Sequence, residues 1–395
     1  MELKIETKLV KPEQGPAFRI IGLILRLIFG ATFVFSGFVK AVDPLGFGYK
    51  MQDYMHAMGF LQFDNLLLVG AILLIALEFT IGLSLLTGIK MKFFAWCAVL
   101  FMLFMTPLTL WLALTNAVGD CGCFGDALLI TNWQTFWKNV VLLVMIFAIL
   151  YCEKYNRPYL SPMPSWLISA SFFVFSVCIS LYCLAHLPFI DFRPYKIGNN
   201  LPEMMTLPED AKKDIFKTTF IYKNKNSGEE KEFEKLGDAP WNDTVNWVFV
   251  SQHSEQIQKG DEPKIHDFVI ETYEHGDITE EILSDENFVF LFVMYDLAKT
   301  NTENIKKLNS LYSNLKDRDV KVLALTSSNS YDVEHFKEKH NVEYEFATCD
   351  PIPLKTAIRA NPGVIILKNG TVIDKWNAVD TKKRFHKFEK KHLVP

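Results

Sequence analysis

A run of about 20 apolar residues is long enough to cross a hydrocarbon core about 30 Å thick, and the first half of this chain contains five: residues 18–39, 65–86, 93–114, 136–152 and 166–187. Backbone polar groups inside lipid must be satisfied within the segment itself, so each run is expected to be a membrane helix. The fourth is the shortest and is expected to begin earlier, because Trp133 and Trp137 suit an interfacial belt. The bulk values of the 395 residues, 50% hydrophobic and 22% charged with a net charge of -4, are then an average of two materials. Residues 1–190 hold most of the Phe, Leu and Ile, and residues 191–395 hold most of the Lys, Glu, Asp and Asn.

Lysine and arginine in short loops set the orientation. Lys4, Lys8, Lys11 and Arg19 precede the first run, Lys90 and Lys92 join the second to the third, and Lys154 and Arg157 join the fourth to the fifth. Those segments are expected inside, with residues 1–17 as a cytoplasmic N-terminus. The loop between the third and fourth runs and everything after residue 187 then face outward, into an oxidising compartment. The first run is too long for a cleaved signal peptide, and no small-residue cleavage site precedes Lys40.

Two ionisable residues fall inside the runs. Arg26 lies about 12 Å in from the inner end of the first, and Glu78 about 19 Å in from the outer end of the second, at 1.5 Å per residue. A lone charge near mid-membrane costs about 2.5–3.5 kcal/mol on insertion scales, so an ion pair between Arg26 and Glu78 is expected. It either fixes the packing of two helices or takes part in proton or quinone chemistry.

The outward loop reads Asp120-Cys121-Gly122-Cys123-Phe124-Gly125-Asp126. A Cys-x-Cys disulfide closes a very small ring, departs from relaxed geometry and is easily reduced. Gly122 permits the tight backbone. Asp120 and Asp126 disfavour a thiolate unless a cation offsets them, and Lys40 and Lys138 are the candidates. Three readings stand: a reactive dithiol at Cys121 and Cys123, a structural disulfide, and a metal site with Asp120 and Asp126. The metal reading is weakest, since structural zinc takes four Cys or His ligands and no histidine is near in sequence, so no metal is expected. Cys183, about one turn from the outer end of the fifth run, is the candidate resolving thiol; Cys97, Cys152 and Cys178 are expected to be packing residues.

Ser36-Gly37-Phe38-Val39-Lys40 with Asp43-Pro44, then Leu77-Glu78-Phe79-Thr80-Ile81-Gly82, then Cys121-Gly122-Cys123-Phe124-Gly125 resemble the MauE/DoxX group of membrane proteins over residues 18–152. The resemblance implies a four-helix membrane bundle with a redox association. MauE-type members accompany maturation of methylamine dehydrogenase, a disulfide-rich enzyme, and DoxX-type members are linked to thiosulfate and quinone chemistry. A quinone is therefore the one cofactor the resemblance admits. The fifth run, placed at 165–187, and the region beyond it lie outside that pattern.

Residues 188–262 are expected to form a linker region with a hairpin over 216–233, turning at Asn226-Ser227-Gly228. From 263 to 395, strands are expected at 267–270, 288–295, 320–325 and 344–348, helices at 303–315, 331–340 and 381–391, and a hairpin of 364–367 with 371–376 around Asn369-Gly370. That alternation argues an α/β domain. It resembles a thioredoxin-like domain of the peroxiredoxin or TlpA type. Asn361-Pro362 falls where that family has a cis-proline, and both would then line a partner-binding groove. Where the family carries Cys-x-x-Cys, this chain reads Leu297-Ala298-Lys299-Thr300-Asn301-Thr302-Glu303, with a capping box expected from Thr300 to Glu303. Cys349 is the domain's remaining thiol and is expected to be non-catalytic.

Two functions follow. One is a membrane thiol-disulfide protein in which Cys121 and Cys123 exchange with an extracytoplasmic protein partner presented by a redox-inactive thioredoxin-like domain. The other is a non-enzymatic scaffold or maturation factor with structural cysteines. Both place the chain in a bacterial cytoplasmic (inner) membrane, multi-pass, with a periplasmic C-terminal domain. The lysine-rich stretch 382–391 is expected to be a solvated helix face, so no nucleic-acid partner is implied.

Overall fold

A computed structural model describes residues 16–60, 64–153, 162–207, 210–213, 215–258, 260–272 and 274–393. The basic residues Lys4, Lys8, Lys11, Lys154 and Arg157 lie outside the described residues. The membrane half comprises α1 (Pro16–Val42), α2 (Pro44–Ala57), α3 (Asp64–Thr87), α4 (Met91–Thr115), α5 (Asn132–Glu153) and α6 (Pro162–Ala185). Five of these are long and apolar enough to span a bilayer, and α2 is not. Leu27, Leu73, Leu100, Phe104, Val144 and Phe147 are exposed on the outside of the bundle. That is the arrangement lipid demands, because hydrocarbon is as good a neighbour for leucine as a protein core is.

Glycine sets the closest helix contact. A Cβ on Gly82 would lie 2.7 Å from the backbone nitrogen of Val34, and one on Gly37 would lie 2.9 Å from the backbone of Phe79. α1 and α3 therefore meet main chain to main chain along residues 30–37 and 79–86, as small residues allow in membranes.

This register corrects the expected Arg26 to Glu78 pair. With Gly37 opposite Phe79, Arg26 lies toward the inner end, about 18 Å along the axis from the level of Glu78. The depth reckoning assumed that the two spans begin in one plane. Instead α3 runs outward past the end of α1, flanked by α2, so Glu78 sits level with the last turn of α1 and pairs with Lys40. Arg26 is buried, and its Nε finds no hydrogen-bond partner among the described residues.

The unpredicted α2 has a legible start. Asp43 caps it by accepting from the Gly46 N–H at 3.0 Å, and Pro44 occupies the first helical position, where its missing N–H costs nothing.

Beyond α6 come α7 (Leu201–Met205) and a three-stranded antiparallel sheet of β1 (Ile215–Asn224), β2 (Glu230–Phe233) and β3 (Trp247–Gln258) in the order β2-β1-β3. The hairpin was expected and β3 was not. The C-terminal domain comprises β4 (Glu271–Thr272), β5 (Gly276–Asp277), α8 (Thr279–Ser284), β6 (Phe288–Val293), α9 (Ile305–Leu315), β7 (Val320–Thr326), α10 (Ser330–His340), β8 (Glu345–Thr348), α11 (Pro351–Ala357), β9 (Gly363–Lys368), β10 (Thr371–Asn377) and α12 (Thr381–His392). The expected strand at 267–270 is absent, because Asp267 adopts φ +54°, which takes the chain out of the extended region. The sheet order is β10-β9-β6-β7-β8-β4-β5, with β6 parallel to β7 and antiparallel to β9. Three parallel strands, β6, β7 and β8, followed by a C-terminal hairpin and helix form a thioredoxin-like arrangement. Val289, Leu291 and Val293 face one apolar core and Phe290 and Phe292 the other, as period-two alternation requires of a sheet covered on both sides.

The glycine contact is testable. Gly82→Val forces a side chain into the α1 backbone and is expected to destabilise the bundle by about 1–3 kcal/mol. Gly70→Ala, at a position with open space around the added Cβ, is expected to be tolerated. Thermal midpoints in detergent micelles distinguish them; equal midpoints would contradict the register.

Candidate functional site

The dithiol loop lies between α4 and α5 and is held by four elements. Cys121 and Cys123 are buried, at 4% and 6% exposure, as free thiols with their sulfurs 3.1 Å apart. A relaxed disulfide has sulfurs about 2.05 Å apart, so bond formation needs about 1 Å of closure. Gly122 at φ +65° makes the turn possible, and the Asp120 carboxylate accepts from its N–H at 2.8 Å. The other Asp120 oxygen meets Lys50 of α2 at 2.7 Å. The Tyr54 hydroxyl, also on α2, donates to the Cys121 carbonyl.

Beneath the loop lies a buried polar network. Lys40 Nζ is 2.8 Å from Glu78 Oε2 and donates to Ser36 Oγ at 3.0 Å. Ser36 has one proton for two acceptors, Glu78 Oε1 at 2.7 Å and the Cys123 carbonyl at 2.6 Å. The charged pair of the membrane helices is thus tied, through one hydroxyl, to the backbone of the second cysteine. Lys138 on α5 sits 4.4 Å from the centre of the Phe124 ring.

These surroundings split the two thiols. The hydrogen bond from Cys121, followed by the charges of Lys138 and Lys40, lowers Cys123 to about 6 against the opposing effect of burial. The same hydrogen bond, together with burial, pushes Cys121 far upward. The two thiols are therefore inequivalent: the nearby cations favour ionisation at Cys123, and burial disfavours it at Cys121.

The remaining sequence candidates are placed as follows. Cys183 is buried on α6, outside the apolar cluster of Tyr54, Leu112, Cys121 and Cys123. Asp120 and Asp126 do not converge on the sulfurs: Asp120 takes Lys50, and Asp126 lies 3.5 Å from Arg359 of the C-terminal domain. Among the described residues no group of three or more Cys, His, Asp or Glu could hold a metal ion. Cys349 is buried, and burial and Asp350 push its thiol up to about 12.

The Asn361–Pro362 peptide is cis. The Asn361 side chain is engaged inside its own domain, donating to the Asp296 carbonyl at 2.8 Å and accepting from Thr300 at 3.0 Å, and Pro362 is buried. The expected capping box from Thr300 gives way to an Asn301 cap, because the Thr300 hydroxyl is committed to Asp296 and Asn361 while Asn301 accepts from the Glu303 N–H at 3.1 Å.

Sequence reading missed the contact between the domains. Arg359, two residues before Asn361, lies 2.9 Å from Asp43 at the start of α2. Tyr295, just past β6, meets Tyr49 of α2 with hydroxyls 3.2 Å apart. Burial raises the Asp43 carboxyl, but Arg359 and Arg193 outweigh it and hold Asp43 below the usual carboxylate range. The Asp43-Pro44 cap was the one available signal for α2; nothing in the sequence joined it to residue 359.

Residues 18–152 match the family model described as methylamine utilisation protein MauE. Residues 216–259 match a domain of unknown function, DUF8463. A comparison with curated proteins found no match. Among solved structures, a cysteine-to-serine variant of PrxQ from Xylella fastidiosa is similar at 11% identity and a TM-score of 0.24, covering 33% of this chain and 90% of that chain. Residues 18–152 are thus similar to MauE within a multi-pass membrane protein, and the C-terminal domain has a thioredoxin-like strand order.

The buried pair generates a test. Lys40→Met leaves Glu78 charged and unpaired, and Glu78→Gln does the converse; each is expected to lower stability by about 3–5 kcal/mol. The double variant is expected to recover part of the loss. Thermal midpoints of the three variants in detergent would be additive if the two residues were independent.

Proposed function

We propose that this protein is a thiol-disulfide exchange protein of a bacterial cytoplasmic membrane, with its N-terminus inside and its dithiol loop and thioredoxin-like domain outside. The observation that carries the reading is the geometry of the thiol pair: two free, buried sulfurs 3.1 Å apart across a glycine turn, with Lys40 and Lys138 favouring the Cys123 thiolate. A thiol with a pKa near ambient combines thiolate population with nucleophilicity, whereas an inert structural cysteine has neither property.

In this mechanism the Cys123 thiolate attacks one sulfur of a disulfide on an extracytoplasmic protein. The partner's S–S bond breaks, a Cys123-partner mixed disulfide forms, and the departing partner thiolate takes a proton. Cys121 then releases its proton and attacks Cys123 Sγ, expelling the second partner thiol. The partner gains two electrons and two protons, and the loop becomes a Cys121–Cys123 disulfide. Run in reverse, the same steps oxidise a partner dithiol. Lys40 and Lys138 favour the thiolate in both directions, and Gly122 lets the small ring close. The thioredoxin-like domain has no cysteine at its expected position and contributes recognition of the partner, not electrons.

Alkylation trapping in intact cells tests the cycle. Cys121 and Cys123 are expected as a mixture of reduced and oxidised forms that shifts with respiratory state, and a pair found permanently in one form would refute it. A second measurement addresses the ionisation. In chemically reduced protein, the alkylation rate of Cys123 is expected to fall as pH drops through about 6 and to be flat well above it, because only the thiolate reacts. Lys138→Gln should move that midpoint upward. A wild-type midpoint near about 8.5, the value of a free thiol, would remove the basis of the mechanism.

A further inference from the structure

The C-terminal domain lacks the Cys-x-x-Cys of its fold, yet it is built against the dithiol loop, chiefly through one intermediate layer. That layer is α2. Its Lys50 holds Asp120 at 2.7 Å, its Tyr54 hydroxyl donates to the Cys121 carbonyl, and a Cβ at Gly122 would lie 3.1 Å from Lys50 Cγ. α2 thus covers the loop at one end of the cysteine pair and beside its central glycine. The C-terminal domain in turn holds α2. Arg359 Nε reaches both Asp43 oxygens, at 3.0 Å and 2.9 Å, where Asp43 caps the first turn of the helix. Another nitrogen of the same guanidinium lies 3.5 Å from Asp126, three residues past Cys123. Tyr295 meets Tyr49 in the middle of α2, and Asp380 meets His186, just past α6, at 2.8 Å.

We propose that the thioredoxin-like domain is a lid that presses α2 onto the Cys121/Cys123 loop, with Arg359 as its latch, and that exchange with a water-soluble partner requires this lid to lift. The proposal rests on the reading of the loop as an exchanging dithiol.

Three features support it. Attack on a disulfide needs open space along the S–S axis, and both cysteines are nine-tenths or more buried. The polar contacts between α2 and the C-terminal domain are made by charged and hydroxyl groups, with Lys355 and Arg359 also over the Tyr49 ring at 5.3 Å and 5.5 Å, and such polar contacts are typical of interfaces that separate. A cavity of about 340 Å³ lies between the layers, lined by Tyr49, Lys50, Asp120, Gly122, Lys355 and Arg359, so the two halves touch at discrete points and not across a continuous core. Arg359 is the strongest of those points, being buried itself and set between two carboxylates. Breaking one side of such a pair leaves an uncompensated charge, which biases the equilibrium toward separation.

The test is the accessibility of the reduced pair in the full-length protein in lipid nanodiscs. Labelling by a charged maleimide is followed by mass spectrometry on the peptide carrying Cys121 and Cys123, so that the other cysteines do not count. Wild-type labelling is expected to be at least about tenfold slower than that of a small free thiol of matched pKa. Arg359→Gln is expected to speed it about tenfold, Asp126→Asn about threefold, and Arg359→Lys less than Arg359→Gln, as a shift in the closed population requires. Protease resistance of the C-terminal domain reports whether each variant folds. Should Arg359→Gln fail to fold, Asp126→Asn decides alone, because that carboxylate is 41% exposed and its amide leaves the core untouched. Wild-type labelling as fast as the free thiol, or folded variants all within about twofold of wild type, would overturn the lid. Because the protein is reduced chemically, this result is independent of whether the pair cycles in cells. A slow wild type with fast variants and no cycling would refute the redox reading and leave the lid standing.

Discussion

The buried ion pair of Lys40 and Glu78 is the contact on which the rest of the molecule depends. Either charge alone in this setting is costly enough to distort a membrane helix or to neutralise itself. Together, 2.8 Å apart and bridged by Ser36, they fix α1 against α3 in one register, and the glycines at 30, 37 and 82 allow the backbones close enough for the pair to form. The same serine reaches the Cys123 carbonyl. A packing contact inside the bundle is therefore also the floor of the dithiol loop, and the lysine that completes the pair is one of two that favour a thiolate above it.

The stagger between α1 and α3 has a second consequence. Because α3 projects outward beyond α1, a ledge is left at the outer end of the bundle, and α2 fills it. α2 is short, begins on an aspartate cap, and offers one set of groups to the dithiol loop and another to the C-terminal domain. Lys50 and Tyr54 look toward the loop, and Asp43 and Tyr49 toward Arg359 and Tyr295. The thioredoxin-like domain thereby reaches the chemistry of the loop without touching a sulfur. Its loss of Cys-x-x-Cys is compatible with this, since what it contributes is an arginine and a tyrosine on the side of the fold that carries the cis-proline.

Much of this architecture was legible residue by residue. The five spans, the reversal of composition near residue 190, the hairpin at Asn226-Ser227-Gly228 and the strand-helix alternation after β6 all follow from local periodicity and turn chemistry. The adjacency of the two cysteines was legible too, because the glycine between them permits the tight turn that brings their sulfurs together. Three things were misread for one reason each. Arg26 was paired with Glu78 because helix depths were counted from a common plane. The apolar run at 267–270 predicts a strand, and the left-handed Asp267 breaks it. The Thr300 box was expected from spacing, while the side chain was claimed by Asn361, 61 residues away.

What the sequence determined by itself was therefore the material of each segment: which stretches are apolar enough to enter lipid, which form an α/β domain, where two thiols stand, and that the second domain carries no Cys-x-x-Cys. Those properties are carried by neighbours within a few residues of one another, where periodicity and steric rules operate. The tertiary structure decided the partnerships. Lys40 with Glu78, Arg359 with Asp43 and Asp126, and Tyr295 with Tyr49 join residues 38 to 316 positions apart. The Ser36 bridge from the ion pair to the Cys123 carbonyl and the Lys50 to Asp120 contact depend on distances of about 3 Å that only the folded chain sets, because electrostatic and hydrogen-bond energies fall off within a few ångströms.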